Sequence, residues 1–571
     1  MTLLEPRRID FQAVREVLRA GRATEAWLSG WLPSTWNDPA RFQKGLYGSV
    51  AEQRGGAIKG RPGTGFDFYH DCVLANVGKK RAALLVHDDR DLLSLSFDSL
   101  HERSSALANA WRAAGVKAGE SVAIVLPVGI ELAVAMVTAL RMGLTISVLP
   151  PLGPTYVRSR VSRLGVDHVV SSGRHERTLA PDSPLLALTP GSSDASLSAS
   201  HTYADDDIPL RLLSAFGPND ADPSELSAAA LHEALLRDSA LVYTLAPGER
   251  LAAPGFDPLQ MQPLAMLTAW IAGAAWVELE PRHLEADAKV LIKAGVTTLG
   301  VSRALRELLL RQGGESVPPG ASWFRAMNDV LDYDRWQQLS TALAGRNIFG
   351  FALLTSAASG GAHLFAPRGL ATSGLRVWPV PGRVYQLSQV GAGTLASLGE
   401  SGTYTPLAGE EPDASLLEVV LTRDGHGWTL GGSLAIGPEG RTVPGAEIAR
   451  AAERHPAVRA AAVVVVPGRW MNDALVVLLV FVEPDARGDK AAPAPPAAEI
   501  LARVRQEMGD RHVPARVAVY ALRPRFIDGV VDVAWCRSQY LSGALSARAR
   551  SPIFAMTARL GWIFGDSQRT T

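Results

Sequence analysis

Apolar residues in the central part of the chain fall into short continuous runs that alternate with longer segments of helical spacing. The predicted strands are residues 82–86, 122–126 and 146–149, and the predicted helices are residues 97–114 and 131–142. The first of these helices carries Leu100, Leu107 and Trp111 at helical spacing and stops before Gly115. Strands that alternate with helices of this length predict a parallel sheet covered by helices on both faces.

The same alternation returns after residues 171–222, a stretch rich in Ser, Asp and Pro. Further elements are predicted at residues 241–244, 262–279, 287–294 and 297–310. The first of them is a short apolar run that we interpret as a strand.

A smaller unit is predicted near the C-terminus. Its elements are a helix at 446–453, strands at 461–466 and 474–482, a helix at 499–508 and a strand at 516–521. They amount to a compact α+β unit of about a hundred residues, an ordinary size for a small domain. The predicted fold class is therefore α/β, with a large N-terminal α/β domain followed by a small α+β domain.

The two ends of the chain differ from these units. A helix over residues 11–28 precedes a Gly/Arg-rich stretch, residues 54–65, which we interpret as a linker or a wrapping arm. The predicted divisions are an N-terminal extension (1–65), a large domain (66–436), a small domain (437–545) and a tail (546–571). The tail is basic and then apolar, so it either folds back on its own domain or docks on a partner or, less readily, on a membrane surface.

Composition narrows the class of protein. A chain of 571 residues exceeds one ordinary core, and its formal net charge of zero provides no basic field for nucleic acid. Cys72 and Cys536 are too few and too distant for a disulfide framework, so we expect two core thiols. The apolar stretches 121–149 and 264–279 contain charges or are too short to span a bilayer, which predicts buried core and no transmembrane segment. The start has no apolar signal, so we expect a cytoplasmic protein.

Several segments, in order and at consistent spacing, resemble the acyl-CoA synthetase branch of the adenylate-forming superfamily, and within it the acetyl- and acetoacetyl-CoA synthetases. They are LSFDSL (95–100), GVKAGESV (115–122), LPVGIEL (126–132), LRMG (140–143), AGAAWV (272–277), GVTTL (295–299), EI (447–448), HPAV (455–458) and VP (513–514). The resemblance implies a large α/β domain with a small mobile lid, and a nucleotide bound between them. It also implies four sets of chemical groups for activating a carboxylate with ATP.

The first is a phosphate-binding loop. In the family a Ser-Gly-Thr-Thr-Gly pattern and a Pro-Lys pair follow a Tyr-Thr pair, whereas this chain continues LAPGER over residues 245–250. Pro247 removes an N–H donor, and Glu249 puts a negative charge where phosphate would lie. Arg250 stands near the lysine position without rebuilding the loop. The vestigial loop positions are Tyr243, Thr244, Gly248, Glu249 and Arg250.

The magnesium and ribose ligands of the family are also missing. The counterpart of the magnesium-binding Tyr-Gly-x-Thr-Glu motif lies near Phe349 and Gly350, and no Asp or Glu occurs between Arg346 and Glu400. Ser433 stands at the position of the aspartate that binds the ribose. One hydroxyl cannot accept both ribose hydroxyl protons as a carboxylate does.

The catalytic lysine position of the family is occupied by Val530, and the last lysine of the chain is Lys490. Arg441 matches an arginine that contacts the ribose in the family, but without its neighbours it reads as a surface or salt-bridging arginine. Only six residues separate Gly440 from Glu447, where the family places a hinge and a hairpin. A hairpin alone needs about ten residues.

These losses favour a pseudo-ligase that keeps the fold and acts by binding. We expect no metal site and no cofactor, with ATP, magnesium or coenzyme A bound only if this interpretation of the motifs is wrong. The ligand is either an acyl group in a residual pocket within residues 297–350 or a protein, such as a homologous ligase or a carrier protein.

Two alternatives stay open. One is an enzyme with rewired, ATP-independent acyl transfer or condensation chemistry, for which Glu249, Arg250 and Ser433 are the candidates. The other is an active AMP-forming ligase with unusual ATP contacts.

Overall fold

The computed structural model describes residues 10–87, 91–151, 154–172, 185–188, 200–213, 223–254, 261–312, 314–326, 333–346, 348, 350–356, 360–370, 376–383, 385–389, 401–408, 411–412, 417–421, 428–430, 445–467, 474–483, 497–510, 513–527 and 530–551. Within these ranges no helix combines the length and the apolar character that crossing a bilayer requires.

Helices and strands alternate along the described ranges. The helices are α1 (Phe11–Arg19), α2 (Glu25–Asn37), α3 (Pro39–Gln53), α4 (Phe68–Cys72), α5 (Phe97–Ala113), α6 (Ile130–Met142), α7 (Pro154–Leu164), α8 (Ala228–Arg237), α9 (Met261–Ile271), α10 (Pro281–Ala286), α11 (Val290–Lys293), α12 (Arg303–Arg311), α13 (Tyr333–Ala344), α14 (Gly445–Glu453), α15 (Ala497–Met508), α16 (Val533–Leu541) and α17 (Ala544–Ala549). The strands are β1 (Ala82–His87), β2 (Leu92–Ser96), β3 (Ser121–Val125), β4 (Thr145–Leu149), β5 (His168–Ser171), β6 (Leu185–Leu186), β7 (Leu210–Leu212), β8 (Ser224–Leu226), β9 (Arg250–Ala252), β10 (Ala275–Glu278), β11 (Thr298–Gly300), β12 (Ser322–Ala326), β13 (Gly350–Ser356), β14 (Gly361–Ala366), β15 (Arg376–Pro379), β16 (Tyr385–Gln389), β17 (Ser401–Ala408), β18 (Glu411–Pro412), β19 (Leu417–Leu421), β20 (Trp428–Leu430), β21 (Ala460–Pro467), β22 (Ala474–Phe481), β23 (Arg516–Tyr520), β24 (Phe526–Ile527) and β25 (Val530–Val531).

Two sheets form the large α/β unit. Among the described residues the first has fourteen strands in the order β16-β17-β19-β20-β15-β14-β13-β12-β11-β9-β10-β1-β2, with β18 beside β17. Its central strands, from β13 to β1, run parallel to their neighbours. The second sheet has the order β6-β5-β3-β4-β7-β8 and is parallel except for the β7–β8 pair. The predicted α/β class with parallel sheets is confirmed, and the apolar stretch 264–279 forms α9 and β10.

Side chains alternate across β3 between two apolar clusters. Val122 and Ile124 pack in the main cluster with α5 and α6, whereas Ala123 and Val125 pack in a second cluster with α7. All four are fully buried. Because successive residues of a strand point to opposite faces, this pattern requires helices on both sides of the sheet. The apolar stretch 121–149 is therefore core, as predicted.

The N-terminal extension consists of three helices packed on the large unit. The single helix predicted over residues 11–28 is wrong: the chain turns at Gly21, whose φ of 63° lies in the left-handed region, and α1 and α2 are separate. Helix α3 was not predicted. Its Phe42 packs on Gly382, where a Cβ atom would lie 2.3 Å from the ring. This contact between distant segments therefore requires a glycine.

Residues 54–65 lie along the large unit, which supports a wrapping arm over a free linker. Two backbone N–H groups of this arm donate to the buried carboxylate of Asp71. The same carboxylate lies 2.9 Å from Nε2 of His232, and Nδ1 of that ring lies 3.0 Å from the hydroxyl of Tyr47 in α3. One buried network thus connects the arm, α3, α4 and α8.

The small unit has the predicted helix–strand–strand–helix–strand order. Strand β21 is antiparallel to β22, and β23 is parallel to β22. One face of this sheet, including Ala461 and Leu478, shares an apolar cluster with α14, α15 and helix α7 of the large unit. The opposite face, including Ala462 and Leu479, is covered by α16, α17 and the β24–β25 hairpin. These last elements therefore form the layer of the small unit that faces away from α7.

Candidate functional site

The segment that precedes the vestigial phosphate loop is helical. The predicted strand at 241–244 is wrong, because a π-helical turn, Asp238–Val242, continues α8 to the loop. The helical pattern of buried apolar residues in α8 extends through this turn. The Asp238 carboxylate is also buried, and it accepts hydrogen bonds from the backbone N–H of Ala362 (2.8 Å) and from Nε of Arg237 (3.1 Å). Tertiary packing and this anchor outweigh the strand propensity of the apolar run.

The backbone N–H groups of the loop are directed into the protein. Six of them, between residues 243 and 250, donate to acceptors of the same chain. The pairs are Tyr243 N to Asp238 O (2.8 Å), Leu245 N to Ser239 O (2.8 Å), Ala246 N to Glu249 Oε2 (2.7 Å), Gly248 N to Gly273 O (2.8 Å), Glu249 N to Ala246 O (3.1 Å) and Arg250 N to Thr297 Oγ1 (2.9 Å). Pro247 has no N–H to offer. A phosphate-binding loop works by presenting free N–H groups to the anion, so these residues do not fit a triphosphate.

Thr244 is held in an unfavourable conformation at the centre of the loop. Its φ is 52°, a region that β-branched residues rarely adopt. The side-chain hydroxyl is buried and has no hydrogen-bond partner within the described part of the chain. Strain of this kind persists only where the surroundings impose it.

Arginines from two distant segments hold Thr244 in this conformation by binding the carbonyls of the loop. In α1, Arg15 donates to the carbonyl of Leu245 and Arg19 donates to the carbonyl of Thr244 (3.1 Å). From the other side, Arg368 donates to the carbonyl of Tyr243 (3.0 Å) and to that of Arg19 (3.1 Å). The loop thus presents acceptors to cations, which is the reverse of a phosphate cradle.

The charges around the loop are mostly positive. Glu249 forms an ion pair with Arg19, and its negative charge also acts on Arg15 and Arg368. Burial, followed by repulsion from Arg19, lowers the pKa of Arg368 to about 10. Burial and then Arg19 also lower the pKa of Arg15. Arg368 stays charged at neutral pH, since a pKa of about 10 is far above 7.

Arg250 does not stand in for the family lysine. Its guanidinium donates to the carbonyl of Ala294 at the end of α11, and its own carbonyl accepts from the Thr297 hydroxyl (3.1 Å). The side chain therefore closes a contact between β9 and the α11–β11 turn. Gly248 has a φ of 85°. The turn requires this left-handed conformation, which glycine adopts without strain.

An aromatic cluster includes one residue of the region 297–350, where the acyl pocket was predicted. Tyr243, Phe324 and Phe351 form a cluster with ring centroids 5.2, 6.0 and 5.3 Å apart. All three are buried, and burial raises the pKa of the Tyr243 hydroxyl. The Arg368 guanidinium lies 5.6 Å from the Phe351 ring. At the start of β13, Gly350 lies so close to Trp323 that a Cβ atom would be 2.4 Å from the indole.

The predicted positions still to be placed are Phe349, Ser433, Arg441 and Val530. Phe349, Ser433 and Arg441 lie outside the described residues. Val530 belongs to β25, where it pairs with Ile527. Within the described ranges, no group of three or more His, Cys, Asp or Glu side chains is arranged to hold a metal ion.

Sequence reasoning missed the arginines that bind the loop. Arg15 and Arg19 are four residues apart on α1, beside the stripe formed by the buried residues Phe11, Val14 and Leu18. That amphipathic pattern was a usable signal that α1 binds through a basic stripe. Nothing in the sequence near Arg368 indicates its role.

Comparison with known sequences covers only part of the chain. A family model described as "AMP-binding enzyme" matches residues 75–225. The acetyl-coenzyme A synthetase of Alkalilimnicola ehrlichii is 30% identical over 127 residues, which are 21% of this chain and 20% of that protein. The chain thus aligns with about a fifth of the length of this curated relative.

Comparison with solved structures covers most of the chain. A double mutant of o-succinylbenzoate CoA synthetase from Bacillus subtilis superposes with a TM-score of 0.65 at 13% identity, over 83% of this chain and 98% of the other. An artificially fused adenylation–PCP di-domain from Klebsiella oxytoca gives a TM-score of 0.62 at 14% identity, over 79% and 93%. Residues 75–225 thus resemble the AMP-binding enzyme family in sequence, and the chain shares the α/β fold of adenylate-forming ligases, with acyl-CoA synthetases among its structural neighbours.

Proposed function

We propose that this chain is a non-adenylating member of the superfamily and acts by binding a protein partner. The hydrogen bonding of residues 243–250 carries the proposal, because the N–H groups needed for phosphate are already used and the carbonyls are bound by arginines. Binding a triphosphate would require breaking several of these bonds, at a net cost of about 1 kcal/mol each, and placing phosphate beside Glu249.

A protein partner is favoured over an acyl group. Within residues 297–350, where an acyl chain was expected, the Phe324 ring packs against Tyr243 and Phe351. One structural neighbour is a fusion of an adenylation domain to a PCP domain, which supports a carrier protein as one class of partner. A homologous ligase is the other class. The two free, buried thiols, Cys72 and Cys536, support a reducing compartment such as the cytoplasm.

The test is calorimetric titration of the full chain with Mg-ATP and, separately, with a non-hydrolysable acyl-adenylate analogue, together with pyrophosphate exchange over a panel of carboxylic acids. An active acetyl-CoA synthetase serves as the positive control. We expect no heat of binding and no exchange above the blank.

Micromolar binding of either ligand, or exchange with any acid, would overturn the proposal and favour a ligase with unusual ATP contacts. A product that forms without ATP and disappears in Glu249→Gln would instead favour rewired acyl transfer. If the chain is silent in all assays, sedimentation of mixtures with a carrier protein or an active ligase identifies the partner class.

A further inference from the structure

Positive charge is concentrated at the C-terminal end of this neutral chain. Residues 513–571 contain eight arginines, three aspartates and no lysine, so their net charge is +5 while that of the whole chain is zero. The arginines are Arg516, Arg523, Arg525, Arg537, Arg548, Arg550, Arg559 and Arg569. A local field of this size attracts anionic partners.

The described arginines of this group lie in or beside one structural layer. Helices α16 and α17 and the β24–β25 hairpin, which we call the outer layer, cover the face of the small sheet that is turned away from α7. Buried Cys536 and Leu545 attach the two helices to that sheet. Arg516 leads into the layer from the start of β23, and Arg550 follows α17; both are exposed.

Helix α16 exposes apolar side chains on the same surface. Val533, Arg537 and Leu541 follow one another at intervals of four residues, so they form one stripe along the helix. Val533 is 46% exposed and Leu541 is 51% exposed. These are two of the five large apolar side chains that are exposed in the described part of the chain, and both lie in a nine-residue helix.

Arginines and aromatic rings are paired at the edges of the outer layer. The Arg548 guanidinium lies 5.5 Å from the ring of Trp535, and the Arg523 guanidinium lies 4.9 Å from the ring of Phe526. Both rings are only partly buried. Two residue types bind the boundary between lipid head groups and acyl chains. They are aromatic residues and arginines, whose aliphatic part contacts apolar groups while the guanidinium stays in the polar region.

We infer that the outer layer is a docking surface for an anionic lipid membrane, which the protein binds peripherally. An acidic protein surface would match the arginines, whereas an anionic membrane matches both the arginines and the exposed apolar side chains of Val533 and Leu541. Charge and apolar side chains together provide the two signals that stable peripheral binding needs. This inference holds whether or not the chain adenylates.

Co-sedimentation of the full chain with lipid vesicles tests whether the outer layer binds an anionic membrane. We expect binding to vesicles in which about a third of the lipid is phosphatidylglycerol and little binding to pure phosphatidylcholine vesicles, with a marked loss at high salt. The double variant Arg516→Glu/Arg550→Glu should lower the partition coefficient at least about tenfold, since each arginine near an anionic surface contributes appreciably. The variant Val533→Ser/Leu541→Ser should lower the partition coefficient severalfold, because two apolar side chains no longer insert between the lipids.

The matched control is Arg112→Glu/Arg311→Glu, which reverses two exposed arginines on the large unit. It should bind vesicles like the unaltered chain, and melting curves should show that all variants fold. The inference is overturned if the unaltered chain stays in the supernatant with anionic vesicles. An acidic protein would then be the favoured partner of these arginines. Equal binding to both vesicle types, or equal loss in the control, also overturns it.

Discussion

At the scale of single residues, the loop at 243–250 acts as a structural joint. Its described N–H donors bond to acceptors of the same chain, and the carbonyls of Tyr243, Thr244 and Leu245 accept from arginines. Each arginine comes from a segment outside the loop. The loop therefore connects the N-terminal extension to the large unit, and its strained Thr244 is held by both.

Arg368 is the residue on which this joint depends most. Its substitution in Arg368→Met removes two charged hydrogen bonds to the carbonyls of Tyr243 and Arg19. We expect the free energy of unfolding to fall by about 2–3 kcal/mol, measured by urea unfolding at pH 7. The control Arg22→Met, at an exposed position of the nearby turn, should change it by less than about 0.5 kcal/mol. Equal effects of the two variants would show that the carbonyl contacts carry little stability.

Some features of the loop could be predicted from the sequence, whereas its contacts with arginines could not. Pro247 and Glu249 are local signals, legible from residue type alone. The contacts of Arg15 and Arg19 with the loop join residues 225–230 positions apart, and that of Arg368 joins residues 125 apart. Pairings at such separations depend on the complete fold, so a local pattern can mark a basic stripe on α1 but does not identify what the stripe binds.

At the scale of elements, the N-terminal extension is integrated into the large unit by a buried carboxylate. Asp71 accepts two backbone N–H groups of the wrapping arm and contacts the rings of His70 and His232. Burial alone would raise the pKa of Asp71, but the hydrogen bonds from His232, His70 and the Lys59 N–H outweigh it and hold that pKa well below its usual value. The ionised form is thus the one that the folded protein stabilises.

The variant Asp71→Asn tests this network. It keeps one acceptor oxygen for several donors, so we expect a loss of about 3 kcal/mol in the free energy of unfolding at pH 7. A carboxylate with a lowered folded pKa contributes its stability above the unfolded value of about 4 and loses it as the pH falls toward the folded value. The difference between the two proteins should therefore narrow below about pH 4 in urea unfolding at a series of pH values. The exposed control Glu102→Gln should show a small difference at pH 7, and a deficit of Asp71→Asn that stays constant to pH 2 would contradict the assignment.

Elements with a strong period were predictable, and those set by tertiary contacts were not. The strands β21 and β22 and the helices α5 and α6 lie within a few residues of their predicted positions because their apolar patterns are long. The strand predicted at 241–244 is helical because buried packing of α8 and the Asp238 anchor extend past its end. The helix predicted at 11–28 divides because Gly21 adopts a left-handed conformation and the Thr24 side chain caps the next helix.

At the scale of the whole molecule, the small unit is fixed to the large one by an apolar seam. Val157 and Val161 of α7 share a buried cluster with Ile500 and Val504 of α15. A lid that rotates during a reaction cycle needs an interface that separates readily, and interfaces of that kind are more polar than this one. A chain that no longer adenylates has no use for the rotation, so a closed seam agrees with the proposed loss of ATP chemistry.

The variant Val161→Asp tests whether the seam couples the two units. It places a carboxylate among apolar side chains, and an unpaired buried charge is expected to cost at least about 3 kcal/mol or to force the units apart. The control Ser162→Asp adds the same charge at the adjacent exposed position and should be close to neutral. Calorimetric scans should show one main transition for the unaltered chain and for the control, and an earlier, separate transition of the small unit for Val161→Asp. Two separate transitions in the unaltered chain would mean that the seam does not hold the units together, and the small unit would then be free to move as it does in an active ligase.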